Sequence, residues 1–272
     1  MIKPVKILAS TPLSLSQYWG ELRRFKSLVL VFTQQELRGM YAQTYFGLFW
    51  AIIRPLFTLA IFTVIFRFFL KVPTQTPYYL FAFTGMVAWN LFSQIAIQAS
   101  TAVLQKQTAI RKMYFPKLVL PLSKTLIALA EAAISLIILF GFMIYERTAI
   151  GLNFLTLPFF ILLTVLCGLA VASWMNALNI RFRDLNQIVP TIIGIGIWLT
   201  PVFYPTTVIP QGYEIFAYIN PMTGIVKGYR FALLGEAFPE LNYWWAIGIT
   251  ILTALAGLWY FTRVEDKMVD YA

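Results

Sequence analysis

Apolar residues in this chain fall into long, nearly unbroken runs separated by short polar or basic stretches. Runs over about 48–70, 79–102, 118–144, 154–177, 187–203 and 243–262 approach or reach the roughly 20 residues that a helix needs to cross a bilayer. One segment is patterned differently. Between Leu15 and Phe32, the residues Leu15, Tyr18, Leu22, Phe25, Val29 and Phe32 recur at three- and four-residue steps, with Gln17, Glu21, Arg24 and Gln35 mostly elsewhere. That spacing predicts an amphipathic helix with one apolar face. Its basic residues and aromatic anchors suit the membrane interface, the plainer alternative being a helix packed as in a soluble protein.

A second departure is the stretch from Pro201 to Asn242, apolar and aromatic but punctuated by Pro201, Pro205, Pro210 and Pro221. A structureless loop of that length is improbable inside a compact domain. Short helices are expected over Tyr213–Ile219 and Met222–Leu234, with Asn220-Pro221 forcing a turn between them. Neither is long enough to cross, so a re-entrant hairpin dipping into the outer leaflet is expected. Backbone at that depth is tolerated only where protein or a water-filled cavity covers it.

Charge then sets the orientation. One set of connections carries Lys3, Lys6, Arg23, Arg24, Lys26 and Arg38, then Lys106, Arg111, Lys112 and Lys117, then Arg181 and Arg183, then Arg263 and Lys267. The opposite set carries only Lys71, Arg147, Lys227 and Arg230. The excess predicts both termini in the cytoplasm, and hence an even number of crossings, about six. The expected architecture is all-α and polytopic, in a single domain over 1–272. Residues 1–47 form a cytoplasmic or interfacial arm, 48–262 the membrane-spanning region and 263–272 a cytoplasmic tail.

Composition agrees with this picture. Of 272 residues, 60% are hydrophobic and only 12% charged, about half the charged fraction of a soluble domain. The net charge of +10 is dispersed beside spans rather than pooled on one soluble face, which argues against nucleic-acid binding. The single cysteine, Cys167, lies in an apolar run and excludes an intrachain disulfide framework; with no histidine, His-based catalysis and zinc sites of the usual kinds drop out. The first apolar run comes late and lacks a small-residue cleavage pattern, so the first span is expected to act as an uncleaved insertion signal.

Candidate chemistry is sparse. No phosphate-binding loop occurs; Gly224-Ile225-Val226-Lys227-Gly228 lacks both spacing and context. Any energy for transport must therefore come from another polypeptide or an ion gradient. Glu131 sits inside the third run, with Lys124 seven residues earlier on the same face. Their backbones would lie about 10 Å apart, too far for an easy direct pair, so Glu131 is expected to be a structural charge that meets another helix or is buried protonated. Arg54 and Arg67 bracket the first span, where they could snorkel; Arg54, before Pro55, could instead meet an anionic head group. Aromatics such as Phe57, Trp198, Phe203 and Tyr204 could face lipid, neighbouring helices or a path. Gly168 and Ala172 are spaced for close helix approach. The segment Leu104 to Ser123 joins a basic turn to Tyr114-Phe115-Pro116 and Pro121, more than a plain connection needs; it reads as a docking element for a cytoplasmic partner.

Four stretches carry a family resemblance: GLFWAIIRPLF (Gly47–Phe57), IRKMYFPKLVLPLS (Ile110–Ser123), NIRFRDL (Asn179–Leu185), and TPVFY with INPMTGIVKGYR (Thr200–Tyr204, Ile219–Arg230). In this order they resemble the permease subunit of type-two ABC exporters, in the branch exporting O-antigen, capsule and wall teichoic acid. The resemblance runs from about residue 15 to the C-terminus. It implies a homodimer bound to two copies of a separate ATPase subunit, which would hold ATP and magnesium, leaving this chain with no cofactor and no enzymatic activity. It places Lys106, Ile110, Arg111, Lys112, Tyr114, Phe115 and Pro116 at the ATPase-coupling element. Arg54, Phe57, Trp198, Phe203, Tyr204, Tyr213, Asn220 and Pro221 would belong to the path or outer gate for a polysaccharide carried on a polyprenyl pyrophosphate lipid. Where the family carries a strongly basic stretch before the first span, this chain has Arg38-Gly39-Met40-Tyr41-Ala42-Gln43. The rival expectations are a drug or small-lipid exporter of the same class, a gradient-driven carrier using Glu131, and a membrane-embedded lipid-modifying enzyme, for which no acidic or nucleophilic cluster is evident.

Overall fold

One deeply buried helix packs against most of the other long helices. In the computed structural model, which describes residues 15–41, 49–179, 182, 184–210 and 212–265, helix α4 (Tyr78–Gln98) runs through the centre of the bundle. Lys3, Lys6, Gly47, Arg181, Arg183 and Lys267 lie outside the described residues, as do the side chains of Leu15, Gln17 and Arg111. The other long helices are α3 (Trp50–Thr63), which continues as a π-helical turn over Val64–Phe69, α7 (Val119–Tyr145), α8 (Leu157–Asn179) and α12 (Leu241–Val264). A 15-residue apolar helix, α9 (Leu185–Leu199), joins them, and no strand occurs among the described residues.

Among the described residues, five helical stretches are long and apolar enough to cross a membrane: Trp50–Phe69, Tyr78–Gln105, Val119–Tyr145, Leu152–Asn179 and Leu241–Val264. With α9 they reproduce the six apolar runs of the sequence to within a few residues. Only the end of α9 differs by more, because Thr200 precedes Pro201 and takes an extended conformation (φ −95°, ψ 134°). Burial ranks the stretches. The central one is 72% buried over its apolar window, whereas Trp50–Phe69 is 11% buried and so lies on the outside. Helix α9 likewise turns Ile188, Ile192, Ile195, Trp198 and Leu199 outward.

Small residues set the central packing. A Cβ built on Gly168 of α8 would lie 2.7 Å from the Ile95 Cβ of α4, so glycine is what lets these backbones approach. Near its basic end α4 changes winding: a 3₁₀ turn, Ala99–Thr101, leads into the short helix α5 (Ala102–Gln105). Two asparagines of α8 bracket this turn. Asn176 Nδ2 donates to the Ala99 carbonyl and its Oδ1 accepts from the Val103 amide at 3.4 Å, while Asn179 Nδ2 donates to the Ser100 carbonyl at 3.0 Å. The asparagine at i+3 thus serves the next carbonyl along.

The amphipathic segment forms two helices, α1 (Leu15–Arg24) and α2 (Lys26–Tyr41), broken at Phe25. Its apolar face, Tyr18, Leu22, Val29 and Phe32, is buried against Val103, Ile110, Phe115, Leu118 and Phe261. That face is covered by protein, while Trp19, Leu30 and Val31 point outward and remain available to an interface. At the opposite end the expected hairpin is present as α10 (Glu214–Ile219) and α11 (Pro221–Leu234). Asn220 caps α11, its side chain accepting from the Met222 amide at 3.0 Å, with Pro221 at the first helical position, where its missing N–H costs nothing. Gly235 (φ 71°) closes α11 in the left-handed conformation.

Candidate functional site

Three places concentrate polar side chains in this apolar molecule. The first lies between α3, α4 and α7. A recess of about 350 Å³ is lined there by Trp50, Arg54 and Thr58 of α3, Asn90 and Gln94 of α4, and Glu131 and Ser135 of α7, with Met40 at its edge. The four-residue steps from Trp50 to Thr58, Asn90 to Gln94 and Glu131 to Ser135 put each pair or trio on one helical face. Gln94 Nε2 donates to Glu131 Oε2 at 2.6 Å, so Glu131 meets another helix, as its position implied. Lys124 does not reach it and instead pairs with Glu36 of α2 at 2.6 Å. The Arg54 guanidinium stands 5.5 Å from the centre of the Trp50 ring. The other amide atom of Gln94, Oε1, is buried and has no hydrogen-bond partner among the described residues. Such an orphan acceptor costs about 1–3 kcal/mol until something donates to it. The sequence reading missed Asn90 and Gln94, although two amides four residues apart in an apolar helix are a visible signal.

The second place is the basic end. After α5, Lys106 leads into α6 (Gln107–Lys112), and the chain is extended at Met113 (φ −146°, ψ 143°) before α7. The expected docking residues divide here by direction. Lys112, Met113 and Tyr114 are exposed, whereas Ile110, Phe115 and Pro116 are buried. Phe115 is 2% exposed and its ring lies 5.8 Å from that of Phe32, so it holds α2 in place and presents nothing to a partner. Long-range polar links tie the N-terminal helices to this segment. The Tyr114 hydroxyl donates to Glu21 at 3.1 Å, and Glu36 receives Lys106 at 3.5 Å as well as Lys124.

Deeper in this end, the Tyr18 hydroxyl donates to Glu265 Oε2 at 2.6 Å, and the same carboxylate oxygen accepts from the Lys117 amide at 3.3 Å. Burial first, then the charge and hydrogen bond of Glu265, push the Tyr18 hydroxyl well above the ordinary tyrosine range. Three distant parts of the sequence therefore meet at one carboxylate, a meeting that no local pattern announces.

The third place is the hairpin end. Arg230, counted from sequence among the outward loop charges, is 1% exposed. It follows Val226 by four residues on the buried face of α11, and that spacing could have placed it. Its Nη1 donates to the Pro201 carbonyl at 3.0 Å and its Nη2 to the Val202 carbonyl at 2.7 Å, with the Phe81 carbonyl at 3.5 Å. The guanidinium carbon lies 3.4 Å from the Phe81 ring centre. Arg230 thus collects the carbonyls left over where Pro201 ends α9. Nearby, burial raises the Glu236 carboxyl above its usual range against the lowering pull of Arg230 and Lys227.

The expected gate residues separate. Phe203 is a core residue, stacked on Phe62 at 3.6 Å between ring centres, its carbonyl accepting from Tyr78 at 3.0 Å. Asn220 donates to the Thr200 hydroxyl at 2.8 Å, and Tyr204 to the Trp198 carbonyl at 3.0 Å, so the start of α11 is tied to the end of α9. Phe57 and Tyr213 are exposed, Trp198 is partly exposed with its ring 5.5 Å from that of Phe62, and Pro221 is half-buried. Among the described residues no group of three or more His, Cys, Asp or Glu side chains could hold a metal ion.

Comparison with known proteins covers nearly the same stretch. The family described as "ABC-2 type transporter" matches residues 27–234. An O-antigen export system permease protein of Klebsiella pneumoniae is 25% identical over 249 residues, covering 89% of this chain and 94% of its own. One from Myxococcus xanthus is 24% identical over 252 residues, covering 90% and 96%. A polysialic acid transport protein of Escherichia coli is 24% identical over 248 residues, covering 86% and 92%.

Proposed function

The chain belongs to the ABC-2 type transporter family, and from that premise we propose that it is the permease subunit of an ATP-driven exporter carrying lipid-linked polysaccharide outward across the bacterial cytoplasmic membrane. The observation that carries this reading is likeness over nearly the full length to permeases named for O-antigen export and to one named for polysialic acid transport. ATP and magnesium would be bound by two copies of a separate ATPase subunit. The basic end would face the cytoplasm with both termini, and the hairpin end would face outward.

Within that frame each place has a task. The exposed run Lys112, Met113 and Tyr114 would touch the ATPase, with Lys106, Ile110, Arg111, Phe115 and Pro116 as its support. The outward faces of α3 and α9, which expose Phe57 and Trp198, would meet a second copy of the chain. Arg54 would meet the pyrophosphate of the lipid, its guanidinium offering several donors to phosphate oxygens in a surrounding that strengthens them. Tyr204, Tyr213, Asn220 and Pro221 would form the outer gate, where ring faces can guide sugars without demanding one geometry. Phe203 and Arg230 would hold that gate together.

The test is co-purification in detergent with the ATPase encoded beside this gene, measuring ATP turnover with and without the permease. Tyr114→Ala and Lys112→Ala should leave the permease folded and change the turnover of the complex severalfold. Nucleotide turnover by the pure permease, or a permease that binds no ATPase and transports only on an imposed ion gradient, would overturn the reading.

A further inference from the structure

The two sides of the helix pair α1–α2 carry different chemistry. The apolar stripe that the sequence pattern marks, Tyr18, Leu22, Val29 and Phe32, is used up in contacts within the protein. The only acids before residue 42 are Glu21 and Glu36, and the bundle engages both. Glu21 accepts from Tyr114, and Glu36 pairs with Lys106 and Lys124. The charge left on the outer side has one sign. Arg23, Arg24, Lys26 and Arg38 are exposed there, together with Trp19 at 47% and Leu30 and Val31 at 55%. Trp19 lies one turn from Arg23 and Val31 two turns from Arg38, so cations and apolar anchors share a helical face.

We propose that this outer face binds acidic phospholipids of the leaflet beside the basic end, holding α1 and α2 to the membrane by charge rather than by their apolar stripe. The sorting of charge names the partner. Arg23, Arg24 and Lys26 crowd the break between the two helices, and clustered cations near a bilayer favour an acidic surface over a zwitterionic one. The apolar side chains among them suit headgroup depth, where the amphipathic indole of Trp19 sits and long basic side chains reach outward. The core of a protein interface is built the other way, with charged residues depleted. Chain connectivity agrees: α2 ends at Tyr41, close in sequence to the stretch that can cross the membrane from Trp50. The proposal does not depend on what the chain transports.

The test places the full chain in nanodiscs of phosphatidylcholine, or of phosphatidylcholine mixed with phosphatidylglycerol, and follows amide hydrogen exchange. In the mixed discs at low salt, α1 and the start of α2 should exchange about tenfold more slowly, because lipid bound to the closed helices opposes their local opening. Exchange in α11, at the other end of the molecule, should be the same in both discs. High salt should erase the difference in the wild-type chain, since it screens exposed charges. Joint replacement Arg23→Gln, Arg24→Gln and Lys26→Gln should erase it too, with unchanged exchange in α11 showing that the fold is intact. Equal exchange of wild-type α1 in the two discs would overturn the proposal, as would a difference that survives both high salt and the triple replacement. Slowing in pure phosphatidylcholine that appears only on adding the ATPase subunit, or only with two copies per disc, would also overturn it and give the face to that partner.

Discussion

The two ends of this molecule are held by different chemistry. At the basic end, side chains meet side chains across long stretches of sequence: Tyr18 with Glu265, Glu21 with Tyr114, and Glu36 with Lys106 and Lys124. At the hairpin end, one side chain gathers backbone carbonyls and stacked rings fill the space: Arg230 on Pro201 and Val202, Phe203 on Phe62. The first kind of link can be loosened one pair at a time and responds to pH and salt. The second is dry and shares its partners, so it breaks as a unit or not at all. The docking surface proposed for the basic end gains from the first arrangement, and the gate proposed for the hairpin end gains from the second.

Three changes would test that contrast, in falling order of effect. Arg230→Met keeps most of the volume but strands buried carbonyls, so it should cost on the order of 3 kcal/mol or more. Thermal unfolding in detergent should show it as a large drop in midpoint, and a shift within error of wild type would refute the dry clamp. Tyr18→Phe removes the donor to a buried carboxylate, worth about 1.5–3 kcal/mol.

The same variant carries a pH signature. A hydroxyl whose folded pKa is raised adds stability fully present below the unfolded value, about 10 for tyrosine, and lost as pH rises past it. The basic end of the wild type should therefore open first in alkali, by amide exchange in α1, and Tyr18→Phe should flatten that dependence. Glu36→Gln should cost least, about 1 kcal/mol, because its partners are only partly shielded from water. Its cost should shrink in high salt, whereas that of Arg230→Met should not.

The spans were legible because each is a continuous apolar run whose length the bilayer fixes, and the hairpin was legible because Asn220-Pro221 marks both a turn and a helix start. Direction was harder. Tyr114 and Phe115 are neighbours of similar character, yet one is 50% exposed and the other 2%, because Phe115 is held against Phe32 of α2 while Tyr114 reaches over the surface to Glu21. Arg230 reads as a loop charge in the sequence because a cation in an apolar helix is read as exposed unless its carbonyl partners are known, and these come from residues 28, 29 and 149 positions away. The recess shares this property. Trp50 to Ser135 span three helices, and no local pattern says that Gln94 and Glu131 will touch.

The 3₁₀ turn at Ala99–Thr101, pinned by Asn176 and Asn179, has a consequence for angular phase. Each 3₁₀ residue advances the helix by about 120° against about 100° in an α-helix, so three residues rotate everything beyond them by about 60°. The azimuth of α5, and with it the bearing of the segment around Lys112 to Tyr114, is indexed to α4 by this partial twist. Rewinding the turn to α would leave the axis nearly straight and aim Lys112, Met113 and Tyr114 along a different radius.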